Sequence, residues 1–367
     1  MFTPTALVEV DYRQRAHEAE GTSGFAFARG RLGLRLSPTD WVTAVVTAEF
    51  IGDHGPYLLD GYAAFRPLRW LTVTAGYSKP PLFASFRHEP VATLPMPVRS
   101  SVVNEMRVRR DLGVEAQLRP RRAPIELIVR LGNGTKALLG NDNHTPTGYA
   151  ALDLVLGRPR VDRRRHDLGV RLGIAGLVDD AGEHDAIAGR TPLGFTYARP
   201  VVADGLRVIL EEHLIAYAGP VRLVIEAAWA REARTYDDDG DAGTPPVPVE
   251  PVESWGLTGE LTWTIRGAWR EVGAQPRGPW DRGDRWDGGA LELATRLDRL
   301  WLGRGAAALA DVGGTTGALS LKWWPTYFLA LDLYGDVTRF DAPPIETPAR
   351  SWSWTALLRA SFFWGGR

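Results

Sequence analysis

Short stretches in which apolar and polar residues alternate one by one recur along the whole chain. No apolar run approaches the roughly 18 residues a membrane-spanning helix needs. Residues 5–13 (TALVEVDYR) put Ala6, Val8, Val10 and Tyr12 on one face and Leu7, Glu9, Asp11 and Arg13 on the other. Residues 25–36 (FAFARGRLGLRL) repeat the pattern, with Ala26, Ala28, Leu32, Leu34 and Leu36 expected on one side and Arg29, Arg31 and Arg35 on the other. The last such stretch sets Trp352, Trp354, Ala356, Leu358, Ala360, Phe362 and Trp364 against Ser351, Ser353, Thr355, Leu357, Arg359 and Ser361. A period of two means a strand with one apolar face. That face is slim and aliphatic with aromatics near the strand ends, as a lipid-facing band would be.

The connections support the same reading. Leu36-Ser37-Pro38-Thr39-Asp40-Trp41, Phe65-Arg66-Pro67-Leu68-Arg69-Trp70 and Trp324-Pro325-Thr326-Tyr327-Phe328 each join two strands through proline, with an aromatic at the start of the next. Proline suits a tight turn because its φ is preset and it gives up a donor the turn need not use. Arg119-Pro120 and Gly219-Pro220 extend the set. Long polar segments at 14–23, 133–147, 177–200, 233–253, 271–288 and 340–350 alternate with these turns. The pattern predicts an all-β chain: one transmembrane antiparallel β-barrel over residues 1–367, with short periplasmic turns and long external loops. About 16 strands are expected, centred near 9, 30, 46, 62, 74, 114, 128, 153, 171, 211, 226, 261, 295, 320, 332 and 358. The one near 211 (LRVILEEHLIAY) has no clean alternation. The even count would close the barrel with both ends on one side. An aromatic-ended final strand is the feature the barrel-insertion machinery reads, although this chain continues with Gly365-Gly366-Arg367.

Composition adds exclusions. Formal net charge is −1, which gives no bulk basic signal for nucleic acid. The absence of cysteine excludes disulfides and thiolate metal sites and suits passage through an oxidising periplasm. The opening MFTPTALVEV lacks a charged segment followed by an apolar core, so a signal peptide is expected to have been removed.

One segment is far too long for a turn: residues 79–113, KPPLFASFRHEPVATLPMPVRSSVVNEMRVRRDLG. It follows the fifth strand and is the third long connection, with residues 79–110 expected to fold into the lumen and narrow it. Its basic residues, Lys79, Arg87, His88, Arg99, Arg107, Arg109 and Arg110, would face passing anions, with Arg87 and Arg99 at the constriction. By strand parity Arg29, Arg31, Arg35, Arg66, Arg130, Arg171, Arg266 and Arg296 also point inward. So do Glu9, Asp11, Glu49, Asp60, Glu115, Glu126, Asp153, Glu226, Glu260, Glu292 and Asp332. Two readings of the wall arginines stand: an anion path, because guanidinium offers planar bidentate donors and keeps its charge, or pairing with the inward acids to stabilise the wall.

Residues 60–81, DGYAAFRPLRWLTVTAGYSKPP, and Arg110-Asp111-Leu112-Gly113-Val114 resemble the hallmark segment and return strand of the phosphate-selective porin O/P family. Weaker echoes follow at Gly132-Asn133-Gly134, at 169–176, at 292–296 and at Leu321-Lys322-Trp323-Trp324-Pro325. The resemblance implies a 16-stranded outer-membrane barrel, commonly a homotrimer, that passes phosphate or related anions through a lumen lined by Arg and Lys. This chain has lysine only at 79, 136 and 322, which favours a general anion preference. The environment implied is outer-membrane lipid and lipopolysaccharide.

Other constellations are weaker. Asp237-Asp238-Asp239-Gly240-Asp241 is oxygen-rich but lacks EF-hand spacing, and reads as a solvated loop. The adjoining PPVPVEP (245–251) reads as extended polyproline-like chain. Asn141-Asp142-Asn143-His144 reads as a loop tip, and the seven histidines show no metal-binding spacing. No nucleophile elbow, Walker motif or dinucleotide fingerprint is present, so neither an enzyme nor a cofactor is expected. The alternative to a passive anion porin is a plugged barrel that anchors an envelope complex.

Overall fold

A computed structural model describes all residues except 52–54, 135–144, 158–167, 237–246, 271–287, 305–311, 345–346, 348 and 366–367. Sixteen strands close into one antiparallel barrel. They begin with β1 (Phe2–Arg15), β2 (Gly24–Thr39), β3 (Val42–Glu49), β4 (Tyr57–Leu68), β5 (Leu71–Ser78), β6 (Asp111–Leu118), β7 (Ile125–Gly132), β8 (Thr147–Leu156) and β9 (Leu168–Asp185). A small hairpin of β10 (Gly189–Arg190) and β11 (Thr196–Ala198) intervenes as a sheet of its own. The barrel then continues with β12 (Val202–Ala218), β13 (Val221–Tyr236), β14 (Val247–Arg266), β15 (Ala290–Arg304), β16 (Val312–Thr326), β17 (Leu329–Phe340) and β18 (Trp352–Trp364). Each of the sixteen expected centres falls inside one of these strands. β1 closes on β18, with Ala6 opposite Trp364, so both terminal strands end on the short-turn side.

The outer face is the apolar one. Leu32, Val46, Leu131, Leu172, Leu297, Leu333 and Leu358 are all more than half exposed, as lipid-facing side chains on a barrel are. Aromatics pair on the outer face: Trp41 lies by Phe65 at the short turns, and Trp229 by Trp255 midway along β13 and β14.

Three expectations need correction. On β2, Glu9 pairs with Arg29 but Val10 pairs with Phe27, so Ala28 is an extra residue in a β-bulge. A bulge inverts parity beyond it. Phe25 and Phe27, not Ala26 and Ala28, therefore share the outer face with Leu32, and all three are strongly exposed. The connection 267–289, expected among the external loops, leaves β14 and enters β15 at the short-turn end, where Leu291 pairs with Arg266 and Trp323. In the PPVPVEP segment, Val247–Pro251 are the start of β14, with Val247, Pro248 and Val249 opposite Tyr236, Thr235 and Arg234. Proline is tolerated near a strand end because the N–H it lacks is not needed inside the ladder. The acidic run 237–241 and the tip 141–144 lie outside the described residues.

β12 has no clean alternation for a reason visible in the packing. Its lumenal face carries Ile209 and Ile215 as well as Glu211 and His213, all buried, because the third long connection packs against it. A strand covered on both sides loses the polar half of its signature.

Candidate functional site

Residues 79–110 fold into the lumen, as two short helices, α1 (Ala84–His88) and α2 (Ser101–Met106), with a single 3-10 turn between them. Their apolar side chains have no other place to go. Leu82, Phe83, Phe86, Val102, Val103 and Met106 pack with Ile128 of β7, Leu177 of β9, Ile209 of β12 and Leu300 of β15. Gly256 of β14 makes room for α2, since a Cβ there would meet Val102 Cγ1 at 2.4 Å and Met106 Sδ at 2.8 Å. Phe83 enters α1 with φ of 60°, a conformation a bulky residue adopts only when its surroundings enforce it.

Polar contacts then fix the loop to the wall. The Ser85 amide donates to Glu226 Oε1 at 2.8 Å and its hydroxyl to Oε2 at 2.7 Å. The Ser101 amide donates to Asp298 Oδ2 at 3.2 Å. Three wall cations and Arg270 of the connection after β14 donate to the loop in return. Arg296 bonds to the Val98 carbonyl at 2.8 Å, Arg359 to that of Pro97, Lys322 to that of Leu94 at 2.9 Å, and Arg270 to that of Thr93. Arg222 grips the buried carboxylate of Glu89 through two nitrogens. A second loop, missed in the sequence, also turns inward. Arg190 of β10 pairs with Glu105 of α2 at 2.9 Å, and Pro192 reaches the open side of the lumen.

The open side lies between the loop and strands β2–β6. A cavity of about 630 Å³ there is lined by seven guanidiniums (Arg29, Arg31, Arg87, Arg99, Arg107, Arg110, Arg119) and the ammonium of Lys79, against two carboxylates, Asp60 and Glu115. Thr47, Tyr62, Thr72, Thr74, Asn104 and Gln117 supply further polar surface.

The eleven expected path residues divide into groups. Four lining cations are paired with acids. Arg29 pairs with Glu9, Arg31 with Glu49 at 2.6 Å, Arg87 with Glu115 at 2.6 and 3.0 Å, and Arg110 with Asp60 at 2.8 Å. Three others, Lys79, Arg99 and Arg107, gather round the ring of Phe86 at 4.6, 5.3 and 4.5 Å from its centroid. Lys79 donates to the Phe86 carbonyl at 2.7 Å, and Arg99 to the carbonyls of Ser85 and Glu89. None of the three has a carboxylate within ion-pairing distance among the described residues. The remaining four do not line the cavity. Arg130 is buried in the wall, bonded to Ser78 at 2.8 Å and to the Asp111 carbonyl; Arg109, Arg35 and Arg66 are exposed elsewhere. Parity places a side chain on a face but does not say what covers that face.

Crowding perturbs the loop's own groups. Burial, with the positive charges of Arg99, Arg110 and Arg107, holds the Lys79 ammonium well below its ordinary value. Burial brings Arg99 down to about 10 and holds Arg107 well below the guanidinium range. His88 is held well below the usual imidazole value by burial and by Arg171 and Arg87, and so stays neutral.

The ligand atoms of His88, Glu126 and Asp153 lie within 4.8 Å of one another. Cations already occupy that spot. Glu126 takes donors from Arg119 and Arg171, and Asp153 lies against Arg171 and His213.

No protein-family model matches the chain, and no curated protein matches it in sequence. Solved structures do match its fold. OmpT in its trimer form, an outer membrane protein of Vibrio cholerae, aligns with a TM-score of 0.62 at 11% identity, covering 99% of both chains. An anion-selective porin from Comamonas acidovorans gives 0.62 at 12% identity over 99% of both chains. The outer membrane channel DcaP of Acinetobacter baumannii gives 0.57 at 11% identity, over 99% of this chain and 96% of that one. At these identities the likeness establishes the porin-type barrel fold.

Proposed function

We propose that the protein is a passive porin for small anions in the bacterial outer membrane, with no catalytic role. The observation that carries this reading is the cavity beside β2–β6, where eight cationic side chains face two carboxylates and three of the eight have no carboxylate partner among the described residues. A channel needs a polar path and a field of one sign, not a nucleophile. Lys79, Arg99 and Arg107 supply that field at the constriction; Arg87 contributes less because Glu115 offsets it. Phosphate is among the anions such a path takes. Because most of these donors already hold carboxylates, carbonyls or the Phe86 ring, the set fits a general anion preference better than tuned phosphate capture. A homotrimer in outer-membrane lipid, placed there by the barrel-insertion machinery, fits the resemblance to a barrel described in trimer form.

A plugged barrel anchoring an envelope complex is the second reading, favoured by the way the loop fills the lumen against β7–β9, β12, β13 and β15. Planar-bilayer recording of the purified protein separates the two. The porin gives discrete conductance steps, in threes for an open trimer, with a reversal potential in a potassium chloride gradient on the chloride side. Replacing chloride by phosphate should lower the current without abolishing it. Absence of steps would establish the plug, and a reversal potential on the potassium side would refute the anion path.

A further inference from the structure

The two banks of the lumenal cavity differ in kind. The loop bank carries Lys79, Arg99 and Arg107, which have no carboxylate partners among the described residues. Across the cavity, the lining residues of β3, β4 and β5 include one charged group, Asp60, and Arg110 neutralises it at 2.8 Å. The rest of that bank is apolar, aromatic or a small hydroxyl. Val45 of β3 pairs directly with Tyr62 of β4, Ala64 follows two residues along β4, and Leu59 joins them. Leu59 reaches the lumen because it is the extra residue of a bulge, where Thr47 pairs with Asp60 and Ala48 with Leu58.

This surface differs from the apolar part of the lumenal face that lies under the loop. Ile128, Leu177, Ile209 and Leu300 are all at most 3% exposed, because loop side chains cover them. Val45, Tyr62 and Ala64 are only partly covered and meet the open cavity. A path for chloride or phosphate alone gains nothing from such a strip, since an inorganic ion keeps its water beside an apolar wall. An apolar strip facing unpartnered cations instead complements an anion with a hydrocarbon body, and about 630 Å³ is the size of a small-molecule cleft.

We propose that the cavity is a subsite for organic anions. A monoanion with a short hydrocarbon chain sets its head group among Lys79, Arg99 and Arg107 and lays its chain along Val45, Leu59, Tyr62 and Ala64. This deepens the porin reading above and rests on it. Charge draws any anion into the cavity, and the apolar bank then sorts anions by the length of their chains. Full burial of one methylene raises affinity about fourfold, and a chain lying along one open wall keeps part of that gain.

The test is planar-bilayer recording of the full-length protein in potassium chloride, with methanesulfonate or hexanesulfonate added to one side. The two probes carry the same charge at every working pH and differ only in chain length. Hexanesulfonate should interrupt the chloride current at a concentration about tenfold lower than methanesulfonate. In Val45→Thr/Tyr62→Gln the two probes should become nearly equal while the preference for chloride over potassium is kept. Threonine retains the branched shape of valine, and heat-modifiable gel mobility shows that the variant has folded. In Lys79→Gln/Arg99→Gln/Arg107→Gln both probes should weaken together, with their ratio unchanged. Equal block by the two probes in a chloride-preferring wild type overturns the subsite and leaves the porin reading standing. A chain-length effect that survives Val45→Thr/Tyr62→Gln also overturns it, because size alone would then account for the block. A reversal potential on the potassium side refutes the porin reading and the subsite with it.

Discussion

Neutralising the cations around Phe86 should convert an anion-preferring channel into a nearly indifferent one. Lys79 and Arg99 lie 4.6 and 5.3 Å from the ring centroid and Arg107 lies 4.5 Å from it, so no two of these charges are farther apart than about 10 Å. For an anion passing about 7 Å from each charge in the adjoining cavity, water-like screening leaves about 0.6 kcal/mol of attraction per charge. That corresponds to about threefold in anion permeability for one substitution and about twentyfold for all three, and the anion-to-cation ratio falls further because cation repulsion is relieved as well. The assay is the zero-current potential across a bilayer under a tenfold potassium chloride gradient at low salt, comparing wild type, Arg107→Gln and the triple Lys79→Gln/Arg99→Gln/Arg107→Gln variant. Arg87→Gln/Glu115→Gln serves as the control, since removing a bonded pair leaves the local charge unchanged. At about 1 M salt, where the Debye length is about 3 Å, the differences should shrink. If the triple variant keeps the wild-type ratio, or the paired control loses as much as the triple, the unpartnered cations do not set selectivity.

The loop's anchorage gives a stability prediction. Arg222→Leu leaves the buried Glu89 carboxylate without its main partner, which should cost about 3–5 kcal/mol, seen as a lower heat-modification temperature and noisier, larger conductance as the loop loosens. The His88 imidazole should add no pH dependence through the neutral range, because it stays neutral above its strongly lowered value, so His88→Gln should leave the pH profile of the reversal potential unchanged there. On the alkaline side, Lys79 loses its proton as pH rises through a value well below that of free lysine, so anion preference should decline there earlier than in a Lys79→Arg variant, as followed by reversal potential. Deleting Ala28 removes the bulge but keeps Phe27 opposite Val10 and Phe25 opposite Tyr12, so both rings should stay on the outer face. That variant, like Ala28→Ser, should refold in detergent with a yield of the heat-modifiable form close to wild type, and a markedly lower yield would show that the bulge itself is required.

The barrel was legible because its constraint is local. A strand between lipid and a polar lumen must alternate, and turns with proline and a following aromatic mark one rim, so sixteen centres could be placed from residue order alone. The reading failed where the environment of a face changed. Ala28 adds a residue that no composition signal marks, and the 267–289 connection looks like any long polar segment until strand direction assigns it to a rim. Ile209 and Ile215 blur β12 because a remote loop covers its inner side.

The same division holds for the loop at 79–110. Its length, prolines and basic residues sufficed to send it inward and to name the cations that travel with it. Which of those cations remain without an acid was decided only by how the loop packs against the assembled strands. Pairing of β4–β7 around the loop brings Glu115 to Arg87 across 28 residues and Asp60 to Arg110 across 50, and it sends Arg130 into the wall. Lys79, Arg99 and Arg107 are left together on one aromatic ring. Charge pairing depends on distances in space, and alternation along a strand carries no information about them.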